Sequence, residues 1–205
     1  MALARNVVSE GLIDELNRFE ELVRPLSAEQ WDTASRCEGW TVGDVARHVV
    51  GSMADVAAGR LEGLGSPEVT KREVDERAGR SAAELADECA EVTKAAAGML
   101  PLFDDAAWAA ASPGGYEGTL GDGVEALWYD TWLHANDIRA ALGQKPVIGS
   151  GLPGGVSHVK FELSKRGWEG DIPTGENDAY TFLMVATGRA DASAIGAGAP
   201  INIYA

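Results

Sequence analysis

The longest unbroken helical period in the chain sets the terms for everything around it. Over residues 120–143 the apolar side chains Leu120, Val124, Leu127, Ile138 and Ala141 recur every three or four positions, which is the spacing of one helix face. Gly143 stops the pattern, since glycine takes the left-handed conformation that ends helices. Asp130 and His134 are four apart, one turn above the other, on the same face as Leu127 and Ile138. A carboxylate and an imidazole pointing inward from a core-facing stripe are costly to bury unpaired. Either they satisfy each other, or both bind a metal ion.

Three further segments carry the same period. Leu12, Leu16, Phe19, Val23 and Leu26 predict a helix over residues 4–24, closed by Pro25. Ser27 to Gln30 offers a capping box for a short turn carrying Trp31. Thr41 and Asp44 form another, opening a helix to about residue 60 whose buried face is Val45, Val49 and Val56, with His48 between them. Ser81 and Glu84 cap a helix lined by Leu85, Cys89, Val92, Ala96 and Met99 and closed by Pro101. No stretch alternates convincingly as a strand. The expectation is therefore a mainly all-α protein, a four-helix bundle with its helices packed antiparallel.

Between these segments, residues 62–80 are charged and broken by glycine and proline, which reads as a solvated connection with one helical turn in 69–77. Residues 104–123 form a loop long enough to wall a pocket. Beyond Pro146 the character shifts. Residues 148–155 read as a flexible passage, 156–166 as a helix with His158, 178–188 as a short helix, 196–200 as loose chain and 201–204 as a terminal strand. The expected organisation is a bundle over 1–143 and a small α-helical or α+β extension over 144–205. That tail is too short for a core of its own, so it is expected to pack on the bundle.

The 205 residues carry 32 acids against 17 bases, a formal charge of −15. This argues against nucleic acid and anionic membrane surfaces as partners. No apolar run reaches the length of a membrane span, and residues 1–6 lack the charged and apolar regions of a secretion signal. The cytoplasm is the expected location. Cys37 and Cys89 make neither a metal-spacing motif nor a disulfide framework. Cys37, with no neighbouring base or lysine in the sequence, reads as a small buried residue, and His158 as structural. Nothing in the sequence sets an oligomeric state.

Two segments, Trp40-Thr-Val-Gly-Asp44-Val-Ala-Arg-His48 and Asp130-Thr-Trp-Leu-His134-Ala-Asn-Asp137-Ile-Arg139, resemble the signature segments of the mycothiol-dependent maleylpyruvate isomerase family, within the DinB-like metal-binding bundles. The match runs over about residues 7–143. The resemblance implies a DinB-like four-helix bundle and a divalent metal held by His48, Asp130 and His134, with no catalytic residue separate from these ligands. Two imidazoles and a carboxylate suit zinc, nickel or iron, and three ligands leave coordination positions open. The isomerases have a glutamate where this chain has Asp130; the shorter side chain implies either a metal seated nearer the fourth helix or a weaker or empty site. Mycothiol is the implied cosubstrate, its thiol activated at the metal for attack on a small electrophile, giving isomerisation or S-transfer. Asp137 is a candidate acceptor for an imidazole N–H, or else a surface partner of Arg139. Trp40 and Trp132 are candidate pocket walls. The alternative is a non-catalytic metal- or ligand-binding bundle acting as a regulator or sensor.

Overall fold

The computed structural model describes residues 3–196 and 201–204. Among them are nine α-helices and no strand: α1 (Arg5–Val23), α2 (Ala28–Trp31), α3 (Val42–Ala57), α4 (Pro67–Asp75), α5 (Ala82–Met99), α6 (Asp105–Ala109), α7 (Leu120–Ala141), α8 (Leu152–Lys165) and α9 (Glu176–Ala186). The chain is all-α. Helices α2, α3, α5 and α7 begin with full capping boxes, on Ser27, Thr41, Ser81 and Thr119. Each box satisfies two backbone donors that a first turn leaves open, and losing a cap of this kind costs about 1 kcal/mol.

The bundle consists of α1, α3, α5 and α7. Helices α1 and α3 each pack on both α5 and α7, so α1 and α3 stand diagonally opposite. Their directions follow from contacts at the ends. Arg24, after the end of α1, bonds Asp87 near the start of α5 at 2.9 Å, while Arg5 at the start of α1 reaches the Phe103 carbonyl beyond the end of α5. These two helices are antiparallel. Arg47, early in α3, reaches the Arg80 carbonyl just before α5 at 3.5 Å, so α3 and α5 are parallel. Past the end of α3, the Gly63 N–H meets the Gly114 carbonyl ahead of α7 at 3.4 Å, so α3 and α7 are antiparallel. Helices α1 and α7 therefore point one way and α3 and α5 the other, which corrects the expectation of uniformly antiparallel neighbours.

A parallel pair needs a connection that returns along the bundle, and residues 58–81 make it. They are not the solvated loop their charge suggests. Helix α4 lies along α3, and Glu73 and Arg77 are buried beneath it. The start of α4 was readable: Ser66 caps it and Pro67 occupies the first turn, where proline loses nothing.

Helix α7 is buried on two sides. Val124, Trp128, Ala135 and Ile138 enter the bundle core beside Leu12, Phe19, Val49 and Leu85. Tyr129, Trp132 and Leu133 face a second core built with Val159, Leu163, Phe182 and Leu183 from α8 and α9. Full burial of such side chains stabilises by about 1.5–3 kcal/mol each. Trp132, expected as a pocket wall, belongs to this second core. It is fully buried, its indole N–H donates to the Val147 carbonyl at 2.9 Å, and it does not line the cavity described below.

The glycines over 148–155 do not make a flexible passage. Helix α8 already begins at Leu152, and its glycines let it lie flat on two indoles: a Cβ at Gly151 would stand 2.1 Å from Trp132, and one at Gly154 2.7 Å from Trp128. The expected strand at 201–204 is absent. Ile203 instead donates its N–H to the Ala186 carbonyl at 2.9 Å and fills the second core. Of the loose passage expected over 196–200, residues 197–200 lie outside the described residues. No helix among the described residues is long and apolar enough to cross a membrane.

Candidate metal centre

The capping box on Thr41 sets where α3 starts, and His48 follows on the face turned to α7. There it meets Asp130 and His134 from the middle of α7. The Nε2 atom of His48 lies 3.5 Å from Asp130 Oδ2, and Nε2 of His134 lies 3.4 Å from Asp130 Oδ1. One ligand atom from each of the three residues lies within 4.8 Å of the other two. The two imidazole rings stand perpendicular, 5.2 Å apart.

These distances separate the two ways of satisfying the cluster. Charge-assisted N–H···O bonds close to about 2.7–2.9 Å, and 3.4–3.5 Å is too long for a good one. Adjacent ligands around a tetrahedral ion, each bonded at about 2.0–2.1 Å, stand about 3.3–3.4 Å apart. The true hydrogen bonds are on the far sides of the rings. His48 donates from Nδ1 to Glu73 at 2.8 Å, and His134 donates from Nδ1 to Asp137 at 2.9 Å. In its neutral form each histidine is thereby held in the tautomer that turns a free Nε2 lone pair toward Asp130, the arrangement in which an outer carboxylate orients a ligating imidazole. The donor set fits a divalent cation.

The cluster's own charges favour protons on the imidazoles, which a cation bound there would have to displace. Burial opposes a charge on each of the three groups, but their mutual attraction outweighs it. Asp130 is held well below the usual carboxylate range by His134 and His48. His134 is raised well above the usual imidazole value by Asp130 and Asp137, and His48 is raised by Asp130 and Glu73.

Asp137 is fully buried and heavily partnered. Besides His134 it accepts from Arg189 Nε at 2.7 Å, from Arg36, and from the Cys37 thiol at 3.4 Å. Burial would raise its pKa, yet Arg189 and His134 hold it well below the usual carboxylate range. The expected surface pairing with Arg139 does not occur; Arg139 acts on the buried Glu15 instead. The Cys37 sulfur also lies 3.9 Å from His134 Nδ1, an imidazole neighbour that the sequence did not reveal.

Four participants were missed in the sequence: Glu73, Arg36, Arg189 and the role of Cys37. None shares a helix with the residue it supports except through long-range contact. Arg189 is 52 positions from Asp137 and Arg36 is 101, and spacing carries no signal over such separations.

The cluster opens on a cavity of about 780 Å³. Trp40 stands on its wall with its ring 5.4 Å from that of His48. The segment 104–123 contributes Tyr116 and neighbouring turn residues, as its length suggested. The C-terminal part supplies His158, Arg189 and Tyr204. His158 stacks on Tyr129 at 4.3 Å, and burial lowers its pKa to about 4, so it is neutral at pH 7.

Residues 12–139 match the model of the mycothiol maleylpyruvate isomerase N-terminal domain. The chain belongs to that family. The matched span takes in most of α1, all of α3 and α5, and α7 past His134, so the family segment carries all three donors of the cluster as well as Glu73 and Asp137. Arg189 lies beyond it. No curated protein and no solved structure gives a match.

Proposed function

We propose that the protein is a metal-dependent enzyme that uses a low-molecular-weight thiol, mycothiol by its family, for isomerisation or S-transfer on a small electrophile. In this reading residues 1–143 are the metal-binding bundle, and 144–205 are an extension that closes one side of the pocket. His48, Asp130 and His134 hold a divalent ion, and zinc, nickel and iron all suit two imidazoles and a carboxylate. Bound there, the ion supplies a Lewis-acid position at which a thiol gives up its proton at neutral pH.

The observation that carries the reading is the pairing of free Nε2 atoms around Asp130 with carboxylates fixed behind both rings. Glu73 and Asp137 hold the protons on the two Nδ1 atoms. Arg189 and Arg36 keep Asp137 charged and immobile. Trp40 covers one side of the cluster, its ring 5.4 Å from that of His48. A neutral His158 leaves the cavity without a second strong base, which fits chemistry that begins with an acidified thiol rather than with base abstraction.

The test is a conjugation assay. Metal-loaded protein is incubated with mycothiol and a panel of electrophiles, with loss of free thiol and product mass followed against a chelated control. Metal-dependent turnover supports an enzyme. Binding of thiol without turnover over the whole panel would favour the second reading, a metal- or thiol-sensing bundle.

A further inference from the structure

We propose that the cavity beside the His48, Asp130 and His134 cluster selects an electrophile bearing an extended apolar group, and not a short dicarboxylate. This rests on the thiol-using reading above. Two independent observations carry it, the walls and the charges.

From Asp130 the cavity runs back along α7 past Leu127 and Val124, and on the opposite wall along α3 past Met53 and Val56, with Met99 and Phe103 across from them. Leu120, at its far end, is ten residues from Asp130, about 15 Å along a helix. A space this size belongs to ligands well beyond a few carbon atoms. Methionines at two wall positions are the side chains best able to adapt to an irregular apolar guest. The thiol cosubstrate, a sugar derivative rich in hydroxyls, has no use for such walls. The apolar guest is therefore the other reactant.

The charges exclude the alternative. Among the described residues lining the cavity, Arg189 is the one lysine or arginine. Each of its guanidinium nitrogens already donates once, Nε and Nη2 to Asp137 and Nη1 to the Thr187 carbonyl at 3.1 Å, so its charge is paired with Asp137. The acids on the lining are Glu38, Asp130 and Glu162. A cation at the cluster accommodates one anionic group, which the thiol supplies as its thiolate. Among the described lining residues no cation without a carboxylate partner remains to receive a second carboxylate, and burying one beside these acids without a counter-charge is costly.

The reaction balances without a further reactant. With an enone, the sulfur forms a bond to the β-carbon, the C=C pair shifts to the α-carbon, and that carbon takes up the proton the thiol lost.

The experiment uses zinc-loaded protein, mycothiol and a homologous series of alkyl vinyl ketones, with a short unsaturated dicarboxylate for comparison. The expected result is a kcat/KM that rises about fourfold per added methylene and levels off once the chain spans the roughly 15 Å to Leu120. Val56→Phe, which adds bulk two turns beyond His48, should move that levelling point to shorter chains. Calorimetric titration with 1-alkanols, which have no electrophilic carbon, reads the cavity apart from the chemistry. Alkanol affinity that climbs with chain length without any conjugation would uphold the apolar guest and overturn the thiol-transfer reading. A flat chain-length profile for ketones and alkanols alike, or faster turnover of the dicarboxylate than of the long ketones, would overturn the inference whatever becomes of the enzyme assignment.

Discussion

His48 and Glu73, 25 residues apart in the chain, meet at 2.8 Å in a part of the interior where Glu73 has no exposed surface at all. The contact ties the connection between α3 and α5 to the candidate metal centre, because Glu73 sits on α4 and His48 on α3. Ser52 donates to the same carboxylate oxygen at 3.1 Å. A buried acid with two donors and a position behind a ligating ring orients that ring rather than touching the reactants.

Replacing Glu73 should therefore weaken metal binding without removing a ligand. Glu73→Gln keeps an acceptor for Nδ1 but loses the charge, and metal affinity is expected to fall about tenfold. Glu73→Leu loses the acceptor as well and should fall toward about a hundredfold, the range known for outer partners of ligating histidines. A chelator-competition titration measures both. Unchanged affinity in both variants would reduce Glu73 to a packing role.

Asp130 is predicted to behave as a ligand. Asp130→Ala should lose most bound metal, whereas Asp130→Glu should retain much of it, since it restores the side chain found at this position in the isomerases. The sequence suggested that the shorter aspartate would draw the ion toward α7. Its two oxygens lie 3.5 and 3.4 Å from the two Nε2 atoms, so Asp130 reaches both histidines despite its shorter side chain. Elemental analysis of the purified variants decides, and equal metal content in wild type and Asp130→Ala would count against the shared site.

The pattern of what could be read in advance has a physical basis. Asp130 and His134 were legible because one helix turn brings them together whatever else the chain does, and His48 because its capping box fixes its phase on α3. The caps themselves are local chemistry, and those on Ser27, Thr41 and Ser81 were found, while the box of Thr119 and Asp122 that opens α7 and the Ser66 cap of α4 were not. Trp132 was misassigned because choosing between the two buried faces of α7 requires knowing that α8 and α9 form a second core. Glu73 was lost in a stretch of charge, since only the parallel run of α3 and α5 turns α4 inward. The glycines at 151 and 154 looked like freedom, but the indoles of Trp132 and Trp128 occupy the space where side chains would be.

Two buried groups away from the three donors should give stability slopes of opposite sign. Burial raises the pKa of Glu125 from 4.5 to about 7 and lowers that of His158 from 6.5 to about 4. The native state holds its proton on Glu125 longer than the unfolded chain, so stability falls as pH rises from 4.5 to 7. The native state refuses a proton on His158, so stability is present above pH 6.5 and is lost as pH falls toward 4. Each span is worth on the order of 3 kcal/mol, and between pH 4.5 and 6.5 the two nearly cancel. Relative to wild type, Glu125→Gln should gain stability as pH rises through that window, and His158→Phe should lose it. Denaturant melts at pH 5, 6 and 7 test both; parallel shifts at every pH would refute the assignment.

The last prediction concerns the thiol. A thiol that binds the folded protein through the metal stabilises it by mass action, by about 2.7 kcal/mol at a concentration near a hundred times its dissociation constant. For a chain of this size that corresponds to a rise in melting temperature of roughly 5–10 °C. The shift should require metal, because the one guanidinium among the described residues of the cavity wall is already bound to Asp137 and the chain carries a charge of −15. It should fade as pH falls below neutral, because protons then compete for the sulfur and for His48 and His134, whose pKa values are both raised. A melting series with mycothiol, glutathione and a thiol-free analogue, each with and without a chelator, measures this. Mycothiol is expected to shift the metal-loaded protein most and the stripped protein not at all. Equal shifts from all three compounds, or shifts that survive the chelator, would place binding away from His48, Asp130 and His134.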